Sequence, residues 1–265
     1  MQRYKVVLFY VFAFAISWTF WFLMSLTYHG STTDYTVIAL SSIAGLGPLL
    51  SLIILGRVTG NAVDFKKIAA TARFRGAAHK RWFLPATLAI PCFTVLGVLL
   101  SFLLGLENAG DGQLRLIKSG PDTLGLLVLP IMAVYLFASL PTSPLFEEPG
   151  WRGFALPKLQ RRFGREGGSI IVGFLWWVWH QPSNLTFGIE PTAYAFLQMV
   201  TVSFMIDSLF NLSGENLLTA MLAHASSGVV FTFLYEGSQT LFALIPLVGF
   251  VAILRIRVEE DSSSF

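Results

Sequence analysis

Glu147 and Glu148 stand side by side at the end of a strongly apolar run, with Arg152 four and five residues on. Ionisable groups within a membrane segment cost roughly 2.5–3.5 kcal/mol each on insertion scales, and they usually face a functional cavity. On a helix, at about 100° per residue, Glu148 and Arg152 share one face, whereas Glu147 lies about 140° from Arg152. The acid precedes the base by four residues, which is the favourable order for an ion pair. Arg152 is therefore expected to neutralise Glu148 and leave Glu147 without a cation. Such a carboxylate, in a poorly hydrated cavity, suits general-base work. The competing reading is a surface ion pair at a helix end.

Four histidines are present, at His29, His79, His180 and His224. His29 and His79 fall in polar connections and are expected to be solvated. His180 and His224 fall inside apolar runs. Counting 1.5 Å per residue from the nearest polar boundary puts His180 about 20 Å deep, His224 about 13 Å and Glu147 about 21 Å. Three scarce polar groups thus share one slab. The competing reading for a lone intramembrane histidine is a structural hydrogen-bond partner. Glu147, His180 and His224 can work in two ways. They can hold a divalent metal such as zinc, whose bound water becomes the nucleophile. Alternatively, with no cofactor, Glu147 activates water directly while a histidine stabilises the oxyanion. No HExxH stretch is present to support metal binding. A third use of the two histidines, as axial haem ligands, gives no reason for the paired glutamates.

Neighbouring residues add to the picture. Trp176 and Trp177 lie one turn before His180 and are read either as cavity walls or as lipid anchors. Ala220 and Gly228 flank His224 at i−4 and i+4 and leave room for a substrate backbone or for close helix packing, the commoner reason. Ser227 is a candidate donor on that face. Asp207 and Asn211 are expected at a helix end, capped or solvated.

The elements that must position these groups follow from composition. The chain has 265 residues, 54% hydrophobic and 12% charged, against about 25% charged in a soluble domain. That composition excludes an ordinary soluble enzyme. The sequence pI near 9.1 is read as basic residues gathered in cytoplasmic loops, not as nucleic-acid binding. The lone cysteine, Cys92, excludes an internal disulfide and is expected to pack in an apolar run.

The fold class is all-α, a polytopic membrane protein of about eight transmembrane helices. The expected spans are Val6–Tyr28, Tyr35–Leu55, Trp82–Leu106, Thr123–Phe146, Gly168–Phe187, Thr192–Leu212, Asn216–Tyr235 and Gln239–Ile256, each near the roughly 20 residues a crossing needs. The first run is too long for a signal-peptide core and is read as a retained span. With eight spans, sixteen Lys and Arg fall on one side and only Arg115 and Lys118 on the other. That asymmetry places both termini in the cytoplasm. The basic loop 57–81 reads as a solvated segment facing anionic lipid. In the fourth span, two outcomes are expected at the prolines: the helix breaks near Pro141 and restarts, or it kinks there and at Pro149. In a restart, Ser143 would be the cap, with Pro144 at the first helical position. Broken helices in membranes are tolerated where they line protein cavities.

At these residues the chain resembles the CPBP family of CAAX proteases and bacteriocin-processing enzymes, also called Abi. The EExxxR motif is matched by Glu147, Glu148 and Arg152. An aromatic stretch ending in histidine is matched by residues 174–180, closing on His180. A histidine in a late span, following residues 213–218, is matched by His224. The resemblance covers about residues 120–235 and implies one integrated membrane domain. Its parts are N-terminal helices over 1–119, a protease-like core over 120–240, and a last helix and cytoplasmic tail over 241–265. It implies an intramembrane (metallo)endopeptidase of a bacterial plasma membrane, acting on a peptide or lipidated protein that enters from the membrane or the cytoplasm. Glu147 would be the base and the two histidines would assist it, with or without metal. Nucleic acid is not an expected partner. One departure stands out. The family places Asn or Asp four residues after its late histidine, and here that residue is Gly228. Ser227, Asn184 or water would have to replace the missing donor. Gly228 is also the feature that favours a non-catalytic scaffold or bacteriocin self-immunity protein of the same fold.

Overall fold

The computed structural model describes residues 2–60, 65–72, 80–103 and 128–233. Among these residues every regular element is helical. The expected span over 239–256, the tail, His79, Arg115 and Lys118 lie outside the described residues.

The helices are α1 (Gln2–Thr27), α2 (Tyr35–Gly45), α3 (Gly47–Val58), α4 (Phe65–Thr71), α5 (Phe83–Leu103), α6 (Val128–Ser139), α7 (Ser143–Gly150), a π-helical turn (Trp151–Ala155), α8 (Leu156–Thr186), α9 (Ala193–Leu212) and α10 (Leu217–Phe233). Among the described residues two helices, Tyr4–Thr27 and Ala193–Leu212, are long and apolar enough to cross a membrane. The number rises to four if α2 with α3, and α6 with α7 and α8, each count as one broken span. The exposed side chains Tyr4, Val7, Val11, Trp18, Phe22 and Leu26 recur at helical spacing along one face of α1. Water would penalise that stripe and lipid would not, so this is an integral membrane protein.

The chain forms two compact units that interleave in sequence: residues 1–73 with 141–203, and residues 74–140 with 204–265. In the first unit α1 is the central strut. Its inward face carries Phe9, Ala13, Ser17, Trp21 and Met24, all buried. The Ser17 hydroxyl donates to the Ala44 carbonyl at 2.7 Å, and the Trp18 indole donates to the Trp179 carbonyl at 3.0 Å. These bonds tie α1 to α2 and to α8. In the second unit, the Ser226 hydroxyl of α10 donates to the Ala86 carbonyl of α5 at 3.2 Å, and the Thr232 hydroxyl donates to the Tyr135 hydroxyl of α6 at 3.0 Å.

Three expectations are corrected. The second span is not continuous: α2 and α3 meet at Leu46 with a bend of 44°. Pro48 is the cause, because its ring clashes with the carbonyl four residues back and it supplies no N–H. Cys92 is exposed rather than packed. It sits between Leu88 and Leu96, both exposed, while Ala86, Ala89, Ile90 and Thr94 form the buried face of α5. Lastly, the fourth span does break at residues 140–142 and restart at Ser143, but Ser143 is not its cap. Thr142 holds the N-cap position without a side-chain bond, and Pro144 falls at the second helical residue.

Candidate active site

The restart at Ser143 sets the first unit's polar centre. Ser143 and Glu147 are one turn apart on α7, and the Ser143 hydroxyl donates to Glu147 Oε1 at 2.5 Å. A tertiary demand has taken this hydroxyl away from capping. Pro149 follows and supplies no N–H, and the helix then widens into the π-turn, closed by Leu156 N–H on the Trp151 carbonyl. Such bulges shift side-chain register within a helix. Here Trp151 comes back over Glu147: its indole N–H donates to Glu147 Oε2 at 3.3 Å. Trp176, on α8, donates its own indole N–H to the same oxygen at 2.8 Å. Glu147 is only 3% exposed, and the three donors that hold it are all neutral.

Glu148 is treated differently. Arg152 Nη1 donates to Glu148 Oε1 at 2.9 Å, and both side chains are 0% exposed. Arg152 Nη2 continues to Ser203 of α9, reaching the hydroxyl at 2.7 Å and the carbonyl at 3.3 Å. The guanidinium also lies over the Trp176 ring, 5.3 Å from its centroid. The i,i+4 spacing survives the π-turn because Glu148 and Arg152 bracket its start. The surface ion pair considered as the competing reading does not occur.

Packing holds the indoles in place. Trp151 stacks on Tyr10 at 5.5 Å and meets Phe9 and Trp179 edge-on at 5.4 Å and 5.6 Å. Gly150 makes this approach possible, since a Cβ there would stand 2.8 Å from the Phe9 ring. On α8, Gly164 adopts φ 77° and ψ 167°, outside the helical region, and splits the helix into two arms. The expected start of the fifth span near residue 168 corresponds to this turn. The second arm carries Trp176 and His180. Its Gly173 lies against Ser203 of α9, which brings that hydroxyl within reach of Arg152.

His180 is half-buried and shares Trp176 with Glu147. Its Nδ1 is 2.9 Å from the Trp176 carbonyl oxygen. A carbonyl can only accept, so Nδ1 carries the proton. In the neutral ring Nε2 is then the basic nitrogen. Trp179 packs edge-on at 4.7 Å, Trp176 edge-on at 5.1 Å, and Trp21 stacks at 6.1 Å. Trp177 instead packs on Phe174 and Phe196.

The remaining candidates lie in the second unit. His224 is 8% exposed, in a stretch of α10 buried almost throughout. The Ser227 hydroxyl bonds back to the His224 carbonyl at 2.7 Å, so it is committed to its own helix. Asp207 is neither a solvated nor an end residue; it is wholly buried on α9. Asn216, not Asn211, acts as a cap, its side chain accepting from the Leu218 and Thr219 N–H groups. A Cβ at Gly228 would meet only the Tyr135 ring, at 3.9 Å. His29 is exposed, as expected. Among the described residues no three His, Cys, Asp or Glu side chains are grouped as a metal-ligand set. In the first unit the donor types nevertheless suit a metal: a carboxylate, and an imidazole whose other nitrogen is tied to a carbonyl, as in many metal-ligating histidines.

Sequence reasoning missed Ser143, Trp151, Trp176 and Ser203 as partners of the acidic pair. Ser143 carried a usable signal: it precedes Glu147 by one turn.

Fold and site together define a helical membrane protein with a buried, divided carboxylate pair. Residues 129–253 match the family described as Rce1-like, "Type II CAAX prenyl endopeptidase Rce1-like". A curated relative, CAAX prenyl protease 2 of Methanococcus maripaludis, is 27% identical over 185 residues. The aligned stretch covers 68% of this chain and 63% of that protein's length. Over residues 129–253 the chain is thus similar to a family of CAAX prenyl endopeptidases, and the aligned stretch spans less than two thirds of the curated relative's length.

Proposed function

We propose that the protein is an intramembrane endopeptidase that hydrolyses a peptide bond with water activated by Glu147. The observation that carries this reading is the division of the acidic pair. Glu148 is spent on Arg152, while Glu147 is held in place by neutral donors only. Hydrogen bonds from Ser143, Trp151 and Trp176 fix the carboxylate's orientation without supplying a charge to compete for it. Glu147 takes a proton from water as the oxygen attacks the scissile carbonyl, and returns it to the departing amine. Arg152 and Glu148 hold the π-turn and, through Ser203, the neighbouring helix.

His180 and His224 are assigned to the developing oxyanion. With Nδ1–H kept on the Trp176 carbonyl, His180 can donate from Nε2 as an imidazolium. His224 enters this reading through the family pattern and its burial in α10. A second reading is favoured by the Nδ1–carbonyl bond: Glu147, His180 and His224 would hold a divalent metal such as zinc. When bound, zinc would polarise the carbonyl and acidify a water. Metal analysis combined with chelator sensitivity separates the two readings.

The name of the Methanococcus maripaludis relative, CAAX prenyl protease 2, points to a prenylated CAAX protein as substrate. A bacteriocin or leader peptide is the other substrate class we carry. The layout proposed is about eight spans with both termini in the cytoplasm of a bacterial plasma membrane, and 120–240 as the protease core. A non-catalytic immunity or scaffold role gives no use for a carboxylate oriented by three donors. The functional test is quantitative proteomics of membranes carrying the wild-type chain or Glu147→Gln. Peptides cut only by the wild type identify the substrate, and indistinguishable profiles would contradict the reading.

A further inference from the structure

A second site lies away from the carboxylates, still within the first unit. A cleft of about 660 Å³ opens between the first turns of α1 and both arms of α8. Its walls are apolar, from Val6, Val7, Ile171 and Leu175, while Lys158, Arg161 and Arg162 line the rest. The volume falls within the range of small-molecule sites. It is neither an ordinary lipid-facing groove, which would carry no cations, nor an ordinary solvated face, which would carry no apolar floor.

Position explains the combination. The apolar run of α1 begins at Tyr4, so Val6 and Val7 sit at its first turn, where the chain passes from water to hydrocarbon. Arg161, Arg162 and Phe163 are exposed at the C-terminal end of the first arm of α8, just before the turn at Gly164. Lys158 is bent back: its ammonium donates to the Phe154 carbonyl at 3.1 Å and lies 3.6 Å from the Phe154 ring centroid. Arg161, Lys67 and Lys5 are close enough to repel it. Like charges so gathered are relieved by an anion, and guanidinium groups match phosphate oxygens bidentately.

We propose that this cleft is a binding site for one anionic phospholipid, its phosphate on Arg161, Arg162 and Lys158 and an acyl chain along Val6, Val7, Ile171 and Leu175. Charge complementarity selects the headgroup, and continuity with the lipid-facing stripe of α1 selects a lipid over a soluble anion. Basic pockets at the cytoplasmic ends of membrane helices are suited to such headgroups. The site is independent of the protease reading, since none of its residues touches Glu147 or His180 in the bonds described above.

The test uses the full-length protein reconstituted in phosphatidylcholine bilayers doped with spin-labelled phosphatidylglycerol or spin-labelled phosphatidylcholine. The motionally restricted lipid fraction is read by electron paramagnetic resonance. The wild type is expected to prefer phosphatidylglycerol, and Arg161→Gln with Arg162→Gln to lower that preference about thirtyfold, from the roughly 1 kcal/mol each surface cation contributes. Both arginines are exposed, so the double variant keeps its fold. Leu175→Trp, which fills the apolar part and keeps every cation, is expected to lower the preference as well. Equal restriction of the two lipids by the wild type overturns the proposal, as does an unchanged preference in the double variant. Displacement by inorganic phosphate would make this a free-anion site and also overturns it. An unchanged preference in Leu175→Trp would remove the acyl-chain half and overturn the lipid assignment.

Discussion

The Arg152 guanidinium reaches Glu148 on one side and Ser203 on the other, so this carboxylate is bound into a fully buried ion pair. One residue earlier, Glu147 meets a hydroxyl and two indoles. The two acids share a sequence context and differ in rotation about one helix. The difference teaches a division of labour. A buried carboxylate matched by a full opposite charge is a structural part, because protonating it strands the cation. A buried carboxylate held only by neutral dipoles keeps its position whichever protonation state it is in, which is what a proton carrier needs.

The comparison can be broken first at Glu147. Glu147→Gln keeps the volume and an acceptor oxygen but cannot take a proton from water, so peptide cleavage should be abolished while the unfolding midpoint in detergent changes little. Next in size is the partner pair. Arg152→Met leaves Glu148 as an uncompensated buried charge, which should lower stability by about 3–5 kcal/mol. Adding Glu148→Gln should restore much of that loss, measured by denaturant unfolding of the single and double variants. A single variant as stable as the wild type would refute the structural role of the pair.

A smaller effect is expected at Trp176. Trp176→Phe keeps an aromatic ring beside His180 and Arg152 and removes the N–H on Glu147 together with part of the indole's packing. A hydrogen bond to a charged group contributes about 1.5–3 kcal/mol, so kcat should fall about 10- to 100-fold. KM should stay unchanged, because a positioning residue of this kind does not touch the substrate. A rise in KM with kcat intact would assign Trp176 to substrate binding instead. Smallest is Gly228→Asn. The space at Gly228 admits a Cβ, and if the family's missing donor limits the rate, cleavage should rise about tenfold, a fraction of what one oxyanion donor supplies. Unchanged or lower activity would show that the gap is compensated.

Much of this was legible in the sequence. Among the described residues the expected apolar runs fall on helices, because apolar runs bounded by polar connections mark where a helix lies, but only two are unbroken spans and two more are bent pairs. The Glu148–Arg152 pair followed from spacing alone, and the break before Ser143 was one of two outcomes expected at Pro141, the other being a kink. Rotation was harder to read. Helices that are apolar on every side carry no stripe to orient them, so Cys92 could be assigned to the core when it faces outward. Asp207 was assigned to a helix end when it is buried. The indole donors on Glu147 depend on the π-turn and on Gly150 admitting Phe9, and neither has a local sequence rule strong enough to predict it. Ser143 shows a local rule losing to a tertiary one: a sound capping residue was recruited by the carboxylate one turn on.

The most direct test of the central claim is cleavage of a reporter peptide by the purified wild-type protein and by Glu147→Gln in the same detergent, with the unfolding midpoint of each recorded alongside. The account predicts cleavage by the wild type only, at matched midpoints. Equal cleavage by a folded Glu147→Gln protein would contradict it.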